Sequence, residues 1–376
     1  MDKVMAIDNL RQFVRLIADA GIKNTTDYRA WAKEHREQMA ELFLYPAAPG
    51  MPPVNSLVSA AFHSQLPLIL FNYTQLAHNT LHEFPDGWTD VLRLCRGIVF
   101  DFSGKLCALP FPKFFNFGEH PETRDLPDEP FEATVKHDGH LGIIFPYAQR
   151  LILTTRGYFD SRTSVLGNQM LAELSAKNNW QYEWFDGRTL LVEIIHPETK
   201  VYLDYQQSGF IAIGGSDCDT LMDYPHSVLK ISAEKLQLPI ADIWQGNYLA
   251  DLAELMKDRS VTNQEGYVVR FQSGLRVKFK FESYIGKMVA DKLSYSYLLN
   301  RLASGNAERM LSTLSEEILD TAHKMLGRIL LAVAAPGTLK DKWRRLYALV
   351  PEEERSSYFE SVCRDFVKGF VAPSAK

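Results

Sequence analysis

The stretch Gly266-Tyr-Val-Val-Arg-Phe-Gln-Ser-Gly-Leu-Arg-Val-Lys-Phe-Lys280 reads as two strands joined by a tight turn. Aromatic and β-branched residues flank Gln272-Ser-Gly274, the punctuation of a hairpin. The second arm alternates strictly. Arg276, Lys278 and Lys280 therefore share one face, and Val277, Phe279 and Phe281 the other. Three cations on one face repel. They need open water, as on a protected edge strand, or an anionic partner such as a polyphosphate.

Outward from this hairpin the chain repeats the same vocabulary. Gly97 to Phe102 and Lys105 to Leu109 pair across Ser103-Gly104, and Leu141 to Phe145 pairs with Leu151 to Thr155. Leu190 to Ile195 and Phe210 to Ile213 are further strands, interrupted by helical patterns over Ser164 to Lys177 and Leu249 to Lys257. Past residue 284 the strand signals stop. Tyr284 to Ala303, Ala307 to Ala334, Lys340 to Leu349 and Pro351 to Val371 read as helices. At the other end Leu10, Phe13, Val14 and Ile17 recur at helical spacing, a second helix runs from Tyr28 to Phe43, and Tyr45 to Pro53 breaks the pattern. The expected fold class is α+β: a helical N-terminal extension over 1–65, an antiparallel-sheet core over 66–283 and an all-helical C-terminal domain over 284–376.

The 376 residues, 46% hydrophobic and 23% charged, exclude a disordered, collagen-like or repeat-dominated chain. No apolar run approaches the roughly 20 residues that cross a bilayer, and the N-terminus carries no signal-peptide pattern, so a cytoplasmic protein with no membrane partner is expected. Cys95, Cys107, Cys218 and Cys363 form no CxxC pair, which supports neither a zinc knuckle nor a disulfide framework. The net charge of −5 is unevenly spread. From Ser283 onward 14 Lys and Arg face 11 Asp and Glu, and the run Lys340-Asp-Lys-Trp-Arg-Arg345 is a candidate phosphate-binding surface.

The residues that carry chemistry are spread along the core. Val135-Lys-His-Asp-Gly-His140 has the form KxDG, which a hairpin turn with a surface lysine would also produce. Glu193 stands within Leu190 to Ile195, where a buried carboxylate is costly unless it contacts something polar. Glu265-Gly266 opens the quoted hairpin, Thr155-Arg156-Gly157 is a basic turn, and Lys113-Phe-Phe-Asn-Phe-Gly118 sets a lysine beside aromatics. No GxxxxGK[ST] occurs, which excludes a P-loop NTPase.

The order Lys136, Arg156, Glu193, Glu265-Gly266, Lys278-x-Lys280 resembles the motif series of the lysine-dependent nucleotidyltransferases. With Cys95-Arg-Gly-Ile-Val-Phe-Asp101 and Pro112-Lys-Phe-Phe-Asn-Phe-Gly-Glu119, it resembles the phage-type ATP-dependent RNA ligase 1 family, known for tRNA repair, over about residues 68–285. The resemblance implies an antiparallel nucleotidyltransferase core. It implies that Lys136 is the nucleophile that becomes lysyl-AMP, with Asp138 and Gly139 completing its motif and Lys278 and Lys280 handling phosphates. It places Arg96, Lys113 and Arg156 around the triphosphate or AMP, Phe115 and Tyr284 as aromatic walls, and Val135 and Val268 among the nucleotide contacts. Glu193 and Glu265 match carboxylates near the ribose or the metal. Arg276, flanking the Lys-x-Lys pair, is expected to contribute much less to self-adenylylation than either lysine. His140, Lys200 and Arg156 depart from the family pattern, standing where a small hydroxyl residue, an arginine and a lysine are usual.

The implied cofactors are ATP and magnesium or manganese. The implied substrate is RNA with 5′-phosphate and 3′-hydroxyl ends, tRNA among the candidates. No kinase or phosphatase motif is present, so separate end-healing enzymes would prepare those ends. The alternatives are a DNA ligase or capping-type nucleotidyltransferase, whose cores are usually followed by a strand-rich OB barrel, and a non-catalytic RNA-binding module. The first alternative is disfavoured by the helices that follow residue 284, the second by the intact lysines and carboxylates.

Overall fold

In the computed structural model of the chain, the described residues are 2–371 apart from 47, 85, 312, 313, 315, 351, 353 and 354. The chain divides into two compact units, Met1–Phe281 and Glu282–Lys376.

The first unit holds strands β1 (Val58–Phe62), β2 (Leu68–Tyr73), β3 (Arg96–Asp101), β4 (Leu106–Ala108), β5 (Phe115–Asn116), β6 (Phe131–Lys136), β7 (His140–Tyr147), β8 (Arg150–Thr154), β9 (Arg188–Ile195), β10 (Gly209–Asp217), β11 (Gly266–Phe271) and β12 (Arg276–Lys280). Its helices are α1 (Lys3–Asp19), α2 (Thr25–Glu34), α3 (Arg36–Leu42), α4 (Gln75–Thr80), α5 (Asp90–Leu94), α6 (Arg162–Lys177), α7 (His226–Leu236) and α8 (Leu249–Leu255). The strands form three four-stranded sheets, ordered β1-β2-β3-β4, β10-β9-β7-β8 and β5-β12-β11-β6. The α+β class read from the sequence holds. Paired strands run antiparallel, except that β5 lies parallel to β12.

The N-terminal helices are built into the first sheet's core. Asp2 caps α1 by accepting the Met5 N–H, and α1 buries Ile7, Leu10, Phe13, Val14 and Ile17. The Phe13 ring meets Phe43 at 5.1 Å, Phe71 of β2 at 5.5 Å and Trp31 at 5.8 Å between centroids. The expected boundary at residue 65 falls within the β1–β2 hairpin, whose strands pair from Val58↔Tyr73 to Phe62↔Ile69. Residues 1–65 therefore do not stand apart from the sheet. The helix read over Tyr28 to Phe43 is two helices, because the backbone leaves helical geometry at His35, whose ring nitrogen bonds the Trp31 carbonyl at 2.9 Å. Strand β6 and helix α7 gave no usable sequence signal. Phe131–Lys136 carries Glu and Lys within a short run, and α7 follows Pro225 without a side-chain cap.

The second unit is helical: α9 (Glu282–Lys292), α10 (Tyr295–Ala303), α11 (Ala307–Leu311), α12 (Glu316–Ala334), α13 (Leu339–Tyr347) and α14 (Ser357–Phe366). The long helix read over Tyr284 to Ala303 divides where Ser294 caps α10. Residues 312, 313 and 315, within the helix read over Ala307 to Ala334, and Pro351, where another helix was expected to begin, lie outside the described residues. The basic run sits on α13, but two of its cations are occupied. Lys342 donates to the Val333 and Ala335 carbonyls, and Arg345 donates to Ala332 O at 2.9 Å, Ala335 O at 2.8 Å and Pro336 O at 3.0 Å. These are carbonyls at and just past the end of α12, which a helix cannot satisfy internally. Lys342 and Arg345 therefore terminate a helix, and a phosphate surface cannot draw on them without uncapping it.

Truncating Phe13 tests how the N-terminal helices are coupled to the sheet. Phe13→Ala should destabilise the first unit by about 3–5 kcal/mol, the range for deleting a buried aromatic, in urea unfolding of the full chain. An appendage that packs on nothing would leave the main transition unmoved.

Candidate active site

Sheet register assembles the site. Gly266 of β11 pairs with Lys136 of β6 on one side and with Lys280 of β12 on the other. Two residues along, Val268 pairs with Thr134 and Lys278. Next comes the row Glu132, Arg270 and Arg276. Because side chains alternate across a strand, these rows present Lys136, Lys278 and Lys280 on one face. Glu265, immediately before β11, receives the Lys136 Nζ on one carboxylate oxygen at 2.8 Å and the Lys280 Nζ on the other at 3.0 Å. Glycine is required at 266, since a Cβ there would collide with the Phe279 carbonyl of β12. Burial alone would raise the Glu265 carboxyl, but Lys136 and Lys280 outweigh it and hold it below the usual carboxylate range.

This face lines a cavity of about 540 Å³. Lys136, Val135, Gly139, Arg96, Arg156, Glu193, Val268, Lys278 and Lys280 all line it. Glu193 is supplied by β9, where it pairs with Leu141 of β7. Its Oε1 accepts the Gly139 N–H at 3.1 Å. Burial raises its carboxyl to about 7, against the opposing pull of Lys136. Arg156 donates to the Tyr73 hydroxyl at 2.8 Å and lies over that ring. Arg96, the first residue of β3, donates to the Phe111 carbonyl at 3.3 Å.

Glu265 stands behind the lysines and is not itself among the residues lining the cavity, and four more expected residues are not among them either. Phe115 is 1% exposed and stacks on His120, with centroids 4.1 Å apart. Its register partner on β12 is Val277, so it shares the apolar face, and it is the preceding residue, Phe114, that lines the cavity with Lys278 Nζ 5.0 Å from its ring. Lys113 is buried with its Nζ 4.3 Å from the Phe115 ring centroid and 4.0 Å from the Glu119 carboxylate. Asp138 turns its carboxylate away from the cavity, onto the backbone N–H groups of Tyr202 at 2.7 Å and Leu203 at 2.5 Å. Tyr284 belongs to the second unit, whereas every residue lining the cavity belongs to the first.

Arg276 is set apart from the two lysines. It is 5% exposed, pairs with Asp223 at 2.6 Å and lies 4.0 Å from the Phe111 ring centroid. Asp223 also takes Lys3 of α1 at 2.8 Å. The three cations of β12 thus have three different surroundings: Asp223 for Arg276, the Phe114 ring for Lys278 and Glu265 for Lys280. Sequence reasoning also missed Tyr158, Tyr224, His226 and Arg270 on the cavity wall. Only the sheet register, which places Arg270 beside Arg276, could have flagged one of them.

Among the described residues no group of three or more His, Cys, Asp or Glu converges. Glu193 and Glu265 are the two carboxylates nearest the Lys136 amine, and the charge of Glu265 adds to the upward push on Glu193. Two hard oxygen donors suit a magnesium-like ion that takes its remaining ligands from phosphate and water.

The sequence model of the RNA ligase family matches residues 94–284, just over half of the chain and the segment that builds this cavity. No curated protein matches by sequence. Among solved structures, an archaeal ATP-dependent RNA ligase is 14% identical over 89% of this chain and 98% of its own, with a TM-score of 0.47. A putative ATP-dependent DNA ligase from Aquifex aeolicus is 15% identical over 78% of this chain and 74% of its own, with a TM-score of 0.46. A Naegleria gruberi RNA ligase with PPi is 14% identical with a TM-score of 0.36, covering 42% of this chain, which spans about half the length of that enzyme.

Two stability measurements check the electrostatics. Arg276→Ala leaves Asp223 buried without its closest cation, so it should cost about 3–5 kcal/mol in urea unfolding, well above the cost of Lys278→Ala. Glu193 gives a pH signature. Its folded carboxyl holds a proton up to about pH 7, whereas the unfolded one releases it near 4.5. Stability is therefore lost as pH rises between those values. Glu193→Gln should match the parent below pH 4.5 and exceed it by up to about 3 kcal/mol at pH 8 in metal-free buffer. A difference that stays flat from pH 4 to pH 8 would contradict this.

Proposed function

Because the chain belongs to the RNA ligase family and sets Lys136 on Glu265 at the mouth of a cationic cavity, we propose that it is an ATP-dependent RNA ligase acting through lysyl-AMP. The observation that carries the reading is the Lys136–Glu265–Lys280 arrangement beside Lys278. A lysine attacks phosphorus only as the neutral amine, which at an ordinary pKa is about one molecule in 2,500 at pH 7. Glu265 holds the Lys136 nitrogen in place from one carboxylate oxygen, with Lys280 on the other.

In the first step the Lys136 Nζ loses a proton and bonds to the α-phosphorus of ATP, and the bond to pyrophosphate breaks. Next, an oxygen of the RNA 5′-phosphate displaces the lysine, giving an adenylated RNA end and returning the proton to Nζ. Last, a 3′-hydroxyl attacks the 5′-phosphorus, releasing AMP and closing the phosphodiester. Covalent catalysis divides one hard displacement into easier ones. Lys278, Lys280, Arg96 and Arg156 line the cavity where the transferring phosphoryl oxygens gather charge, and fixed cations there lower the barrier. Magnesium, held by phosphate oxygens with Glu193 or Glu265, would add charge neutralisation on those oxygens. A broken tRNA fits the chemistry of the ends, which other enzymes would prepare.

The test is incubation with α-labelled ATP and magnesium. Lys136→Ala should abolish label transfer to protein, and Lys136→Arg should fail equally because guanidinium has no accessible neutral form. Lys278→Ala and Lys280→Ala should each lose about 10²-fold in adenylylation rate. GTP should not substitute for ATP, and sealing should require 5′-phosphate and 3′-hydroxyl RNA ends. Persistent acid-labile labelling of Lys136→Ala would overturn the reading.

A further inference from the structure

The loop that carries Lys136 from β6 to β7 joins two different sheets. Lys136 ends the sheet of β11 and β12, and His140 begins the sheet of β9. The position of the nucleophile relative to Glu193 and Glu265 is therefore set by a turn of three residues, His137 to Gly139. Nothing in the KxDG pattern itself fixes that turn.

The structure holds it from behind. The segment Thr199–Tyr205, between β9 and β10, is fastened by four of its residues to Asp138 and His140. His140 Nε2 donates to the Thr199 carbonyl at 2.9 Å. The Asp138 carboxylate accepts the N–H groups of Tyr202 and Leu203. The Asp138 N–H donates back to the Tyr205 hydroxyl at 2.8 Å. Gly139 N–H completes the set on Glu193, and a Cβ at 139 would meet the Ile194 carbonyl at 2.5 Å, so the approach tolerates only glycine. A small cavity of about 80 Å³ separates the two segments and is lined by Asp138, Gly139, Thr199, Lys200, Leu203 and Tyr205 among others. Tyr205 also faces His137, with ring centroids 6.5 Å apart. It is part-buried and does not line the larger cavity. Two of the positions that depart from the family pattern, His140 and Lys200, fall in this clamp. Lys200 pairs with Asp204 inside the segment at 2.5 Å.

We propose that Tyr205 is a positioning residue, and that the Thr199–Tyr205 segment acts through Asp138 and His140 to hold the turn after Lys136 in the conformation that aims its amine. The proposal rests on Lys136 being the nucleophile. It assigns Tyr205 no contact with nucleotide. A displaced nucleophile lowers the rate of the chemical step far more than it weakens binding. Asp138, on this view, serves the turn through backbone groups and not through the nucleotide.

The experiment is Tyr205→Phe in the full chain, which keeps the ring and removes the acceptor. Single-turnover formation of protein-bound AMP from labelled ATP should slow about 10-fold or more, with KM for ATP within 2-fold of the parent and an unchanged melting temperature. The Asp138 amide should exchange hydrogen faster in the variant, a readout that does not depend on activity. Asp204→Asn, which weakens the exposed Lys200–Asp204 pair in the same segment, should behave as the parent. An unchanged rate, or a rise in KM that accounts for the loss, would overturn the positioning role. If Tyr205→Phe is poorly folded, Asp138 amide exchange in the parent decides: an unprotected amide there overturns the clamp. Failure of the parent protein to take label at all would instead overturn the ligase reading, so the two are told apart.

Discussion

One carboxylate organises the lysine cluster of this protein. Glu265 accepts the Lys136 and Lys280 ammoniums on its two oxygens while buried at the head of β11. Without it, the Lys136 and Lys280 ammoniums, at the ends of β6 and β12 on either side of β11, would repel in a poorly solvated site. With it, the three strand ends are tied into a row whose net charge is still positive. That row, with Lys278 beside it on the cavity wall, is the feature on which the proposed binding of a polyphosphate rests.

The same economy explains Arg276. It shares the strand face of Lys278 and Lys280, and by alternation alone it is their equal. Its partner, however, is Asp223, which also receives Lys3 from the first helix. The pair belongs to the scaffold: it joins the N-terminal helix, the chain between β10 and α7, and the β11–β12 hairpin. One face of one short strand thus carries a buried scaffold ion pair at one end and the cavity-lining lysines at the other.

Much of the candidate site is legible because strand alternation is local. Lys278 and Lys280 share a face, and Glu193 interrupts an aliphatic run, for reasons that a few consecutive residues contain. Phe115 shows where this stops. The choice between Phe114 and Phe115 depends on β5 lying parallel to β12 with Phe115 opposite Val277, and a register between segments more than 150 residues apart leaves no trace in either one. Asp138 is similar: its motif position is evident, but its partners, Tyr202 and Leu203, belong to another loop. On α13, Lys342 and Arg345 look like a basic patch until the end of α12 is seen to need donors.

By itself the sequence determined the α+β class, the hairpins around Gly104, the 141–155 segment and Gln272-Ser-Gly274, the helical character of the residues after 284, and the order of lysines and carboxylates along the core. These follow from side-chain periodicity, turn chemistry and residue type, which act over a few positions. Tertiary structure alone decided that the N-terminal helices complete the first sheet's core, which aromatic faces the cavity, which cations are already paired, and which segment braces the turn after Lys136. Those outcomes depend on pairing energies between distant segments, and a buried charge or ring takes its role from whatever the fold brings against it.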